Sequence, residues 1–180
     1  MKFAETPLKG AYLIEIEPIS DQRGFFARSW CEQEFGDHGL NSNLVQCNIS
    51  FNTKKATLRG MHYQIKPHEE AKLVRCTQGS IYDVIIDIRP DSPTFKLWHG
   101  LKLSALNRKM LYIPEGFAHG FQTLEDNTEV FYQMSNFYHG ESARGIKWDD
   151  PDVGIDWILK DNLIISDRDR GYPSIKEINL

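Results

Sequence analysis

The sequence has no long apolar run. No stretch approaches the roughly 20 apolar residues that a helix needs to span a bilayer, and the start, Met1-Lys2-Phe3-Ala4-Glu5-Thr6-Pro7, lacks the apolar segment of a signal peptide. The expectation is a cytoplasmic protein with no membrane partner. Cysteine is scarce: Cys31, Cys47 and Cys76 are odd in number and show no CxxC spacing. That argues against a disulfide framework and against a zinc-thiolate site, and implies reduced, structural thiols. Neither sign of charge dominates, with 21 Lys+Arg against 25 Asp+Glu and a net charge of -4. Such a chain has no field to attract a polyanion, so nucleic acid is not expected as a partner and any phosphate contact must be local. Repeats, low-complexity stretches and linkers are also lacking.

What is present suits a soluble globular protein. At 180 residues, 41% of them hydrophobic, a single domain over 1–180 is expected, burying roughly 70% of its extended-chain surface. The clearest periodic segment is Ile81-Tyr82-Asp83-Val84-Ile85-Ile86-Asp87-Ile88. In a strand it sets Tyr82, Val84, Ile86 and Ile88 on one face and both acids on the other. Shorter strand-like runs recur at 12–17, 44–48, 72–76, 97–103, 110–113, 120–124 and 128–135, most of them separated by Gly, Pro, Asn or Asp. The cadence predicts an all-β antiparallel sandwich or barrel. Helix is expected only in short pieces: at 30–35, where Ser29 and Glu32 have capping-box spacing, and at 152–157.

Chemistry-bearing residues concentrate in a few motifs. Leu58-Arg59-Gly60-Met61-His62-Tyr63-Gln64 brings Arg59, His62 and Gln64 together, with His62 and Gln64 on one face of a strand. Taken alone, a hydrogen-bonded surface histidine explains it as well as a catalytic one. Ile113-Pro114-Glu115-Gly116-Phe117-Ala118-His119 carries the Pro-x-Gly-x-x-His half of the cupin signature, and cupins are double-sheet jelly rolls. A metal would draw on His62, His68, Glu70 and His119. Yet Gln64 stands two residues after His62 where many cupins have a second histidine, and a protonated Lys72 nearby would repel a divalent ion, so no metal is expected and His68 is read as solvated. Lys72 suits charge developing on an enolate or phosphate oxygen, or is a solvated strand-end lysine. Tyr132 is either a phenolic proton donor or an amphipathic core residue. Ser166-Asp167-Arg168-Asp169-Arg170-Gly171 reads most simply as a solvated loop.

Together these segments resemble the dTDP-4-dehydrorhamnose 3,5-epimerase family of nucleotide-sugar epimerases, which are metal-free cupins. The resemblance runs through Asp21-Gln22-Arg23-Gly24-Phe25-Phe26, the 58–64 segment, Lys72-Leu73-Val74-Arg75, Ser92-Pro93-Thr94-Phe95, the 113–121 segment, and Arg144-Gly145-Ile146-Lys147-Trp148-Asp149-Asp150-Pro151. It implies a cupin-type jelly roll with a few short helices and an isomerase needing no cofactor. The activity implied is inversion at C3, C5 or both of a 4-keto-6-deoxy hexose on a nucleoside diphosphate, for deoxysugar or polysaccharide biosynthesis. By the same resemblance His62 is the base, Asp169 its orienter, Tyr132 the acid on the opposite face, and Lys72 the stabiliser of the enolate oxygen. Arg23, Gln46, Asn48, Arg59, His119 and Arg168 would bind substrate, with Phe26 and Tyr138 lining its pocket. The family also forms homodimers in which an N-terminal region, here about 1–50, is exchanged.

Four positions depart from the family pattern: Arg28 and Ala143 stand where an acid is usual, Cys47 replaces the aspartate between Gln46 and Asn48, and Arg168 replaces a lysine. Lost carboxylates leave ligand donors without acceptors, so a different nucleotide or sugar is open. A keto-isomerase, a metal-dependent cupin enzyme and a non-catalytic sugar-nucleotide-binding protein remain as alternatives.

Overall fold

The structure, a computed structural model, describes residues 1–178. Six strands form one antiparallel sheet in the order β1 (Lys2–Glu5), β2 (Tyr12–Glu15), β10 (Met110–Ile113), β7 (Lys72–Gln78), β12 (Thr128–Met134), β5 (Gln46–Asn52). A second, five-stranded sheet runs β13 (Ala143–Gly145), β6 (Leu58–Gln64), β11 (Phe117–Thr123), β8 (Ser80–Asp87), β9 (Trp98–Ser104). β3 (Ile19–Asp21) and β4 (Gly24–Phe26) pair as a separate hairpin. The two sheets stack as a jelly roll, the architecture that the strand cadence and the Pro114-to-His119 motif imply.

Alternation along each strand explains the layers. Val74 and Cys76, Ile81 and Ile85, Leu111 and Ile113, Phe117 and Phe121, and Val130 meet between the sheets. The intervening residues of the five-stranded sheet, Val84, Ile86, Met61 and Ala118, face outward, where Ile146, Val153, Trp157, Ile165 and Ile175 cover them. β8 is thus buried on both faces, and each of its fully buried aliphatic side chains contributes about 1.5–3 kcal/mol. Its two acids do not reach solvent: Asp83 and Asp87 are both 0% exposed. The Asp87 carboxylate accepts from Arg89 Nε (2.9 Å) and Thr94 Oγ1 (2.6 Å), which ties down the 88–97 loop.

The helices differ from expectation. Helix α1 is Glu32–Asp37 and starts at Cys31 with no side-chain cap, so Ser29 does not cap it. Burial fixes its register instead: Phe35 is fully buried, edge-on to Phe3 (5.4 Å) and Tyr112 (5.9 Å). No helix forms at 152–157. The chain makes one turn, with the Gly154 N–H on the Asp150 carbonyl at 2.9 Å, and Gly154 at φ +64° ends it. The 166–171 segment, expected as a loop, contains helix α2 (Asp167–Arg170), capped by Ser166 Oγ, which accepts the Asp169 N–H.

One irregularity shapes the site. His62 pairs with His119, but Arg59 pairs with Phe121, so β6 carries one extra residue there. This bulge resets the alternation, and Arg59 and His62, three apart, both turn toward the space between the sheets. It requires close backbone approach: a Cβ on Gly60 (φ +137°) would lie 2.6 Å from Gly120 Cα.

Candidate active site

At one mouth of the sandwich the inward-facing side chains change from apolar to polar and line a cavity of about 500 Å³, a size suited to a small-molecule ligand. The five-stranded sheet contributes Arg59, His62, Gln64, His119, Ala143 and Arg144; the six-stranded sheet contributes Lys72, Tyr132 and the rim residues Ile49 to Phe51 of β5. Glu70, Tyr138 and Arg168 close the ring. Four cationic side chains, Arg59, Lys72, Arg144 and Arg168, therefore gather in a chain of net charge -4, which makes the local anion site that overall charge does not provide.

His62 Nε2 bonds Asp169 Oδ1 at 2.8 Å, and Asp169 Oδ2 accepts the Gly60 N–H at 3.2 Å. Burial pushes the Asp169 carboxyl up, but the His62 ring and the Gly60 amide more than offset this and hold it below the ordinary aspartate range. An ionised Asp169 keeps the proton on Nε2 and leaves Nδ1 as the basic nitrogen. Asp167, two residues earlier in the same segment, is exposed. A second pair sits beside the first: His119 Nε2 bonds Asp83 Oδ1 at 2.8 Å.

On the opposing sheet Lys72 Nζ pairs with Glu70 Oε1 at 2.8 Å, both side chains buried. Tyr132 is diagonal to Lys72, since Tyr132 pairs with Val74 and Met134 with Lys72. Desolvation raises the Tyr132 pKa; Arg59 opposes the shift, and Glu70 and Tyr138 reinforce it. The phenol consequently stays protonated through neutral pH. The cavity therefore presents an oriented imidazole on one wall and a neutral phenol on the other.

Of the binding residues expected from sequence, Arg59, His119, Tyr138 and Arg168 line the cavity. Arg59 is aimed by its Nε donating to Asn52 Oδ1 at 2.8 Å. Gln46 and Asn48 sit behind Tyr138: Gln46 Oε1 accepts the Tyr138 N–H at 3.1 Å, and Gln46 Nε2 donates to Asn48 Oδ1 at 3.1 Å. Arg23 and Phe26 do not line it. Both lie on the β3–β4 hairpin, where Arg23 pairs with Asp21 and leaves its side chain 90% exposed. Gln64 is spent on structure, donating to the His68 and Phe137 carbonyls and accepting the His139 N–H. His68 is not a freely solvated residue: it stacks on His139 at 3.5 Å, outside the cavity. Among the described residues no three His, Cys, Asp or Glu side chains group as a metal site.

The four departures divide. Ala143 and Arg168 line the cavity, whereas Arg28 pairs with Glu34 at 2.7 Å and Cys47 is exposed on β5. Sequence reasoning weighed Glu70, which lines the cavity, only as a metal ligand, and it missed Asp83 as the partner of His119 and Tyr172, whose ring stands edge-on to His62 at 5.7 Å. Tyr172 occupies the space that a Cβ on Gly145 would need. Alternation set Asp83 on the face opposite Tyr82, Val84, Ile86 and Ile88 without marking that face as interior, and nothing in the sequence pointed to Tyr172.

A family model described as dTDP-4-dehydrorhamnose 3,5-epimerase matches residues 5–177. The chain is 44% identical over 178 residues to the dTDP-4-dehydrorhamnose 3,5-epimerase of Methanothermobacter thermautotrophicus, covering 98% of this chain and 95% of that protein. The crystal structure of dTDP-4-dehydrorhamnose 3,5-epimerase from Elizabethkingia anophelis superposes with a TM-score of 0.97 at 41% identity, covering 100% and 99% of the two chains. The dTDP-6-deoxy-D-glucose-3,5-epimerase of Legionella pneumophila, in complex with dTDP-4-keto-L-rhamnose, superposes at 0.93 with 35% identity, covering 99% and 94%. The chain belongs to the dTDP-4-dehydrorhamnose 3,5-epimerase family.

Proposed function

We propose that the enzyme inverts a dTDP-linked 4-keto-6-deoxyhexose at the carbons flanking the ketone, C3 and C5. The observation that carries this reading is the placement of His62 with Asp169 on one sheet and Tyr132 on the facing sheet, because inversion needs a proton removed from one face and returned to the other. His62 Nδ1 takes the proton from carbon, and the electron pair moves into the carbonyl, leaving negative charge on the C4 oxygen. Lys72 Nζ stabilises that enolate. The Tyr132 hydroxyl then protonates the carbon from the opposite side. Exchange with solvent returns a proton to Tyr132 and removes one from His62, so no electron is transferred in the cycle. Arg59 and Arg168 are the partners for the diphosphate, and His119 and Tyr138 contact the nucleotide-sugar.

The working form is a homodimer. Ile49 (65% exposed) and Phe51 (48%) lie on β5, whose outer edge pairs with no strand among the described residues, and the β3–β4 hairpin bares Ile19, Phe25 and Phe26. Such a surface favours association. Exchange of the region before residue 50 would carry Arg23 and Phe26 into the neighbouring cavity. Three unpaired cysteines fit a reducing compartment, and we read the enzyme as cytoplasmic. NMR of the product from dTDP-4-keto-6-deoxyglucose tests the reading: inversion at both carbons is expected, and movement of the ketone along the ring would make the enzyme a keto-isomerase instead.

A further inference from the structure

We propose that Glu70 is a substrate-binding residue that accepts a hydrogen bond from a ring hydroxyl of the sugar; this rests on the reading of the enzyme as acting on a 4-keto sugar. Glu70 lines the cavity, yet its side chain is only 4% exposed. One oxygen, Oε1, is committed to Lys72 Nζ at 2.8 Å, whereas Oε2 is buried and has no partner among the described residues. A buried carboxylate oxygen without a donor is costly, and native proteins rarely leave one so. The Asp83 carboxylate has a similarly unpartnered oxygen, but Asp83 is fully buried and does not line the cavity. Of the two, only the Glu70 oxygen belongs to a residue that lines the cavity.

The ligand must supply a neutral donor, because a cation would compete with Lys72 and a phosphate would be repelled. A 4-keto-6-deoxyhexose bound through C1 to the diphosphate has two such donors, the hydroxyls on C2 and C3. Glu70 would join one of these to Lys72 through a single carboxylate, so that binding the hydroxyl also fixes the ammonium group. Glutamine puts an NH2 donor where the carboxylate has its second acceptor oxygen, so it cannot accept from both groups in this arrangement.

The test compares kcat/KM for inversion at C5, a centre that all three sugars keep, for the wild type and Glu70→Gln on the parent sugar and on its 2-deoxy and 3-deoxy counterparts. A hydrogen bond to a charged group implies a loss of about 10- to 100-fold when either partner is removed. One deoxy sugar should lose that factor with the wild type, and Glu70→Gln should lose no more on that sugar than on the parent. Equal rates of the wild type on all three sugars would overturn the assignment without any variant being needed. So would losses from Glu70→Gln that multiply with both deoxy sugars. Failure of the wild type to turn over the parent sugar would instead overturn the reading of the activity.

Discussion

In the proposed mechanism Tyr132 and His62 divide one proton transfer between two walls, and removing one should not have the effect of removing the other. With Tyr132→Phe, the base on the first wall still deprotonates carbon and can return a solvent-derived proton to the same face. Deuterium exchange should therefore persist while inversion falls by about 10²–10⁴-fold, the usual contribution of a general acid; normal inversion in this variant would place the acid elsewhere. Asp169 is bonded to His62, through which it is proposed to act, and its depressed pKa makes it a contributor to stability as well. A lowered folded-state value means this stabilisation is complete above the ordinary aspartate pKa and is lost as pH falls through the folded value. Asp169→Asn should flatten the acid limb of thermal stability in that window, and an unchanged acid limb would contradict the assignment. The pairing itself was not legible from spacing, because 107 residues separate the partners. Only the family resemblance pointed to Asp169 rather than Asp167, and helix α2, capped by Ser166, is what turns the former inward.

At the scale of elements, the β6 bulge joins fold to chemistry. Without the extra residue, alternation would set Arg59 and His62 on opposite faces. Gly60→Ala forces a Cβ to 2.6 Å from Gly120 Cα at a positive φ, so the strand must shift. The expectation is a loss of stability of about 1–3 kcal/mol together with a loss of activity out of proportion to it, measured as melting temperature against kcat at a temperature where the variant is folded. Full activity in a folded Gly60→Ala would mean that the bulge does not set the site. Strands were the most legible elements: 110–113 was predicted to the residue, and β8 and β12 to within one or two. What periodicity could not convey was that the acid face of β8 is also interior, because the donors that satisfy Asp83 and Asp87 come from β11 and from the 88–97 loop. The helices were misread for a related reason. Phe35 burial overrode the capping signal at Ser29, and a single turn ending at Gly154 takes the place of the helix expected at 152–157.

For the whole molecule, the cavity of a single chain holds the acid-base set but not Arg23, whose hairpin projects away with its arginine in solvent. The proposed exchange in a homodimer would account for this, and it predicts complementation. Arg23→Ala and His62→Ala, each weakly active alone, should regain about a quarter of wild-type activity when refolded together in equal amounts, because half the dimers are hybrids with one intact site each. No recovery would confine Arg23 to its own subunit or remove it from the site. Association was only implied by the resemblance to a dimeric family. The sequence could not reveal that the outer edge of β5, which bears Ile49 and Phe51, pairs with no strand among the described residues, since edge position depends on the strand order of the whole sheet.

The most direct test of proton transfer across the cavity is mass spectrometry of dTDP-4-keto-6-deoxyglucose incubated with the enzyme in heavy water, beside a control without enzyme. Enzyme-dependent uptake of two deuterons, abolished by His62→Ala, is the expected result. No uptake by the wild type, or undiminished uptake by His62→Ala, would contradict abstraction by this histidine.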